Sequence, residues 1–581
     1  MSDAAGRRNA VRAVARMPTH AMRPHEWGTR LWCWGKSAMV ENEERARYRG
    51  FSTPLRSGRN DVCFRQRQYL LLIAAIMCCV CLWGCKGRVE APGTVVMIIE
   101  SSPNNLDLRQ GTDAQSERIG GLIFDALVRK DEHYNLQPWL ATSWEQPDAL
   151  TWVFHLRDGV RFQDGRPLTA EDVAYTINSL IDGTLISAKS GNFASVARAE
   201  ARDRLTVVVH MKRPDESLLF NVSDGLFGVV PKGAGKDFGL HPVGSGPFRF
   251  VSAVQDKDVI LERNPDYWVK SPEPPAGAHR IERVRFEVVP DTITSALELQ
   301  KGSADMASNV VTLDMVHELE RNPNLKVETG QGSPVFYLTF NVTDPLLKDR
   351  RVRQAVACAM DRQTIIRALW RGQAKIANTL LPLGHWAAAT DAEMAQYPHD
   401  VVRAERLLDE AGFPAGKDGV RLTLTLKTST DESTRLMAMV LQQQLRAAGI
   451  RLNIRSAEFG TFYADVTHGA FQMYGLKWIG SNEAPDIFRY AYGSESFPPR
   501  GGNRGRYSNP KVDALLKEAS EETDQGKRRA AYIEVQKILA EDLPGIPLWY
   551  PNNEVVHTRR VGGIRQRGSG SFDFLRDAWV R

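Results

Sequence analysis

The chain has 581 residues, 43% apolar and 25% charged, which is too long for a single compact core and ordinary for a globular protein of several domains. Its net charge of +6 sits at the start: residues 1–84 hold 14 of the 75 Lys and Arg and 6 of the 69 Asp and Glu. The remainder therefore carries 61 against 63, a net of −2. A near-neutral body excludes a nucleic-acid binder, which needs a basic face against phosphates.

In chain order, residues 1–64 are Arg-rich and read as a non-native or disordered N-terminal extension, with translation expected to start near Val62. Arg65 and Arg67 then precede Tyr69–Trp83, an apolar run of 15 residues. That is short for a membrane-spanning helix, which needs roughly 20 residues, and suits the apolar core of a secretory signal. The run ends at Leu82-Trp83-Gly84-Cys85, which resembles a lipoprotein signal, with Trp83 bulkier than the pattern's usual residue. Residues 65–84 are thus expected to be the signal peptide, with lipidation at Cys85 and residues 85–93 as a tether. The alternative is an uncleaved signal anchor. Cys33, Cys63, Cys78, Cys79, Cys81 and Cys85 all fall in this leader, so the body keeps Cys358 alone and has no disulfide framework.

Val95–Glu100 is a buried-strand candidate, and Thr151–Leu156 alternates Trp152, Phe154 and Leu156 inward. Asp158-Gly159 and Asp164-Gly165 are turn signals bracketing a short strand, and Thr169 caps a helix with Glu171 and Asp172 in its first turn. Pro242–Phe248 is a tight turn into a strand, Val259–Arg263 and Arg283–Val289 are strands, and Asp291 opens a helix. From Gly419 an alternating strand, a helix capped by Ser429 or Thr430, a left-handed Gly449 and a strand over Arg451–Phe459 make a βαβ unit, hence a parallel pair. The fold class is α/β in several domains.

Catalytic motifs are missing. The sequence holds no HExxH, no phosphate-binding loop, no GxSxG and no CxxC outside the leader. Gly244-Ser245-Gly246 reads as a turn. His385, His399 and His468 show no metal-ligand spacing and read as surface or capping residues. Cys358 reads as a buried inert thiol, and Arg350, Arg351 and Arg353 as a solvated helix face. No catalytic residue, metal site or cofactor is expected.

Several segments in order carry a resemblance. They are Pro138–Trp144, Thr151–Phe162 with Thr169–Val173, Pro242–Phe248, Asn264–Trp268, Tyr337–Asn341 with Asp349–Ala355, Leu407–Phe413, Tyr507–Pro510 and Ile546–Tyr550. Together they resemble the family-5 extracytoplasmic solute-binding proteins, the dipeptide- and oligopeptide-binding group of ABC importers, over roughly residues 94–555. The resemblance implies a type II periplasmic-binding fold, two closing lobes with an extra inserted domain. The expected division is 94–128 with 237–336 and 546–581 as domain I, 129–236 as domain II and 337–545 as domain III. It also implies ligand-driven closure and delivery to the importer's membrane permease subunits, by a monomer held at the periplasmic or extracellular face through Cys85.

In peptide-binding members, a strand like Lys477-Trp478-Ile479 pairs with the ligand backbone, and an aspartate three residues after the tryptophan meets the ligand's α-ammonium. Here that position is Ser481. Either Glu483 or Asp486 takes its place, or the ligand has no free amine there, because a buried ammonium needs an anion. The candidate ligand contacts are therefore Trp478, Ile479, Ser481, Asn482, Glu483 and Asp486. The plainer readings are packing between lobes for Trp478 and solvated loop acids for Glu483 and Asp486. Arg504 and Arg506, in the Gly-rich loop 501–505, would suit a carboxylate but read better as surface residues. A peptide is the expected ligand. The alternatives are a non-peptide solute (oligosaccharide, opine-like conjugate or metal complex) and a sensory or envelope lipoprotein without transport.

Overall fold

Thr94–Ile99 is buried along its whole length, so it can only be an interior strand. In the computed structural model, which describes residues 93–581, it lies parallel to Arg283–Val288 on one side and Met306–Ser308 on the other. These belong to a twelve-stranded mixed sheet. Its order is Ile450–Ala457, Leu422–Ser429, Met473–Trp478, Val335–Phe340, Gly545–Thr558, Met306–Ser308, Thr94–Ile99, Arg283–Val288, Asp258–Arg263, Phe248–Val254. Leu325–Gln331 and Ala374–Ile376 also pair with Gly545–Thr558.

That fourteen-residue strand ties the two halves of the sheet together. Its far end pairs with Met306–Ser308 and Leu325–Gln331, and its near end with Val335–Phe340. The chain thus passes between the halves at Gly332-Ser333-Pro334 and again near Pro551. The two passages touch: a Cβ on Gly332 would lie 2.3 Å from the Pro551 carbonyl oxygen, so only glycine fits. The described residues form one unit, and positions 336/337 and 545/546 lie inside the strands Val335–Phe340 and Gly545–Thr558.

Residues 129–236 carry a separate four-stranded antiparallel sheet in the order Ala141–Asp148, Thr151–Leu156, Thr206–Met211, Val196–Ala201. Trp152, Phe154 and Leu156 share a core with Val173 and Ile177 of the helix Ala170–Ile181. That helix starts with a reciprocal capping box between Thr169 and Asp172. The segment between the two Asp-Gly turns is not a strand; only an isolated bridge joins Arg161 to Pro167. Three of the resembling segments meet at the buried Asp125. Its carboxylate accepts from the Trp139 and Trp268 indoles at 2.8 and 3.0 Å, the Tyr267 hydroxyl at 3.0 Å and the Ser245 hydroxyl at 2.9 Å. The Gly244–Gly246 turn is therefore structural.

The parallel pair Leu422–Ser429 and Ile450–Ala457 is joined by the helix Glu432–Ala447. Its N-cap is Asp431, which accepts from the Thr434 amide at 2.9 Å, rather than Ser429 or Thr430. Gly449 follows with φ +76°. Cys358 is fully buried. Arg351 lies on the surface, but Arg353 does not. It is 5% exposed and donates to the carbonyls of Leu347, Lys348, Asp542 and Leu543, locking the helix Arg350–Ala359 to the end of Gln525–Asp542. Among the described residues no helix is long and apolar enough to cross a membrane. The signal segment and Cys85 lie outside the described residues.

Candidate ligand-binding site

The strand Met473–Trp478 pairs along its full length with Val335–Phe340. On its other side only Met473 and Tyr474 are paired, with Leu426 and Lys427. The stretch Gly475–Trp478 therefore has an open edge beside the two inter-half passages. Trp478, 9% exposed, stacks on Tyr337 at 5.3 Å and 11°, and Tyr490 stands edge-on to it at 5.8 Å. Ile479 and Tyr490 are exposed. The loop passes close by because residue 502 is glycine: a Cβ there would fall 2.5 Å from the Tyr490 ring and 3.0 Å from Trp478.

Gly480, at φ +74°, turns the chain into the short 3-10 helix Ser481–Glu483. The Ser481 side chain lies outside the described residues. Asn482 is buried and donates to the carbonyls of Ser333 and Leu380 at 2.6 and 3.1 Å, so it holds the turn against the passage between the halves. Glu483 is not a solvated loop acid. It is 2% exposed and pairs with Lys130 at 2.8 Å, while its other oxygen accepts from the Ser333 hydroxyl at 2.7 Å. Burial alone would lower the Lys130 ammonium; Glu483 and Asp224 together outweigh it and hold it above the ordinary lysine value. The pair joins residues 353 apart in sequence.

His385 also departs from its surface reading. It is 4% exposed, stacked on Tyr134 at 5.4 Å, and its ring is fixed as one neutral tautomer. Nδ1 accepts the Ala387 amide at 3.0 Å, so the Nε2 proton goes to the Glu483 carbonyl at 3.0 Å. A second proton would have to oppose the Ala387 N–H, and burial lowers the pKa to about 4.

Asp486 is partly buried, not free in solvent. It accepts from the Tyr532 hydroxyl at 3.0 Å, and burial with the nearby Asp215 carboxylate pushes its pKa up. Arg528, 3.9 Å from Glu216, adds a cation to this cluster. Arg504 is not a surface residue either. It is 7% exposed, with its guanidinium 5.4 Å from the Trp478 ring and 5.2 Å from Tyr463.

The open edge, Trp478, Asn482, Glu483 and Asp486 thus gather at one end of the strand. Lys130, Ser333, Tyr463 and Tyr490 have no motif to mark them; their place depends on segments far apart in sequence. Tyr337 lay within a resembling segment, yet nothing there marked it as the stacking partner of Trp478.

Residues 135–498 match the family described as bacterial extracellular solute-binding proteins, family 5 Middle. The chain belongs to this family. This family-5 binding protein is 28% identical over 523 residues to the glutathione-binding protein GsiB of Pectobacterium atrosepticum, covering 88% of this chain and 98% of the relative. It is 26% identical over 500 residues to the oligopeptide-binding protein AppA of Bacillus subtilis, covering 82% and 90%. A solved structure of NikZ from Campylobacter jejuni, in complex with Ni(L-His), superposes with a TM-score of 0.70 at 23% identity, over 85% of this chain and all of that one. The fold is the type II periplasmic-binding fold, and the family-5 protein is an extracytoplasmic solute-binding component of the ABC-importer class.

Proposed function

We propose that this binding protein captures a peptide between its two lobes and delivers it to an importer's membrane permease. The observation that carries this reading is the open strand edge Gly475–Trp478. An extended peptide added there gains main-chain hydrogen bonds that do not depend on its side chains. Trp478, Ile479, Ser481, Asn482, Glu483 and Asp486 are the proposed ligand-side residues, with Asn482 and Glu483 shaping the turn that ends the edge. No catalytic residue is assigned. Domains I, II and III as expected from the sequence, a monomeric state and a lipid anchor at Cys85 complete the proposal.

A non-peptide ligand is favoured by one observation: Lys130 already pairs with Glu483, so the charge of that carboxylate is compensated within the protein rather than by a ligand's ammonium. Native mass spectrometry of the released full chain reads the mass of any retained ligand, and calorimetry against a mixed peptide library reads affinity. A retained peptide, and at least a tenfold loss of affinity in Trp478→Ala, is the expected result. Ligand-free protein with no thermal shift across the library would turn the reading to the non-peptide solutes.

A further inference from the structure

Nine Asp and Glu side chains are buried among the described residues. Eight of them meet a cation or a hydrogen-bond donor, as Asp305 meets Arg560 and Glu483 meets Lys130. Glu554 is the exception. It is 7% exposed, and its carboxylate has no hydrogen bond or ion pair among the described residues.

Glu554 lies just beyond Pro551 on Gly545–Thr558, where that strand has crossed into the half holding Thr94–Ile99. Its main chain is held on both sides. Asn309 donates its amide to the Glu554 carbonyl at 2.9 Å and accepts the Glu554 amide on its side chain at 2.8 Å, while Thr329 lies opposite in the ladder. Strand alternation puts the Glu554 side chain on the face of Val556, which packs with Val316 and Leu319 of the helix Leu313–Glu320.

The charged groups around this face are engaged elsewhere. On that helix Asp314 pairs with Arg371, Glu318 with Arg321 and His317 with Glu320. On the helix Thr292–Lys301, Glu298 pairs with Lys301. In Leu325–Gln331, Lys326 and Glu328 pair with each other beside His557, on the opposite face of the sheet. The charge that weighs on Glu554 is a second carboxylate, Glu320. Lost hydration and a like charge both favour the neutral carboxyl, and the pKa is pushed up to about 7.

We infer that Glu554 is a proton-operated clasp on the strand that joins the two halves. With the carboxyl neutral, Leu313–Glu320 and Leu325–Gln331 stay seated on Gly545–Thr558. With it ionised, the same segments open more often, by local loosening rather than global unfolding. The helix also reaches the other half through Asp314 and Arg371, so its seating bears on how freely the halves move. None of this depends on which solute is bound.

Hydrogen exchange of the ligand-free full chain, read by mass spectrometry over residues 313–331 and 545–558 and corrected for intrinsic rates, tests this. The opened segment regains the ordinary carboxyl value of 4.5, so protection is full below that pH and is lost as pH rises to about 7. From about pH 5.5 to about pH 8.5 the opening equilibrium of the wild type should therefore grow about 30-fold. Glu554→Gln should show no such growth and stay as protected as the wild type in acid. Glu320→Gln, which removes the like charge and keeps Glu554, should show a smaller growth. Equal growth in the wild type and Glu554→Gln would overturn the inference, as would loosening that is matched in Thr151–Leu156 of the separate sheet. Should Glu554→Gln not fold, Glu320→Gln decides alone: a growth as large as the wild type's overturns the clasp.

Discussion

Two buried charges near the end of the strand Met473–Trp478 are handled in opposite ways. Glu483 is closed off: Lys130 neutralises it, Ser333 fills its second oxygen, and its backbone carbonyl takes the His385 proton. Arg504 is left open, with phenol oxygens and ring faces but no anion among the described residues. A completed ion pair belongs to the architecture, because removing one partner strands the other. A buried cation held only by hydroxyls and ring faces has its lost hydration only partly offset. The difference separates a charge that is part of a completed pair from one that the fold carries at a cost.

The largest expected effect comes from breaking the completed side. Lys130→Met strands the Glu483 carboxylate and should destabilise the protein by about 3–5 kcal/mol in urea denaturation, while adding Glu483→Met should recover most of the loss. A double variant no more stable than the single one would mean the pair does not act as a unit. Next is acid. His385 is held neutral with a pKa of about 4 against an ordinary 6.5, so the unfolded chain takes up a proton first as pH falls. Its contribution is full above pH 6.5 and is lost on going down to pH 4, roughly 3 kcal/mol in all. His385→Gln should flatten that part of the stability profile; an unchanged slope would count against it.

Gly502→Ala is smaller. The added methyl meets Tyr490 and Trp478, and overpacking should lower stability by about 2 kcal/mol together with ligand affinity. Smallest, and of opposite sign, is Arg504→Gln. Removing an uncompensated buried cation should raise the stability of the ligand-free protein by about 1 kcal/mol, the gain being trimmed by the lost ring contacts. A drop of the size expected for Lys130→Met would erase the contrast between the two charges.

Much of the fold was legible because it is written locally. The alternation over Leu422–Lys427, the left-handed Gly449 and the Thr169 cap each depend on residues within one turn or strand of each other. The resembling segments carried the architecture, and Asp125 shows why: residues of three of them converge on one carboxylate. The site was legible only in part. Trp478 could be placed from its segment, but Glu483 and Arg504 were read as solvent-facing because a loop acid or a Gly-flanked arginine looks the same buried or exposed. Their burial comes from Lys130 and Tyr463, contacts that no local pattern encodes. His385 was misread for the same reason, since its partner is the Glu483 carbonyl 98 residues away.

The strand Gly545–Thr558 has a consequence for how the molecule reaches its form. It is among the last strands along the chain, yet it lies in the middle of the sheet, between Val335–Phe340 and Met306–Ser308. Neither half can close its ladder until those residues arrive, so a nascent chain still short of Gly545 carries two unfinished sheets with bare edges. Such a topology delays its own folding, which keeps the polypeptide threadable for longer during synthesis.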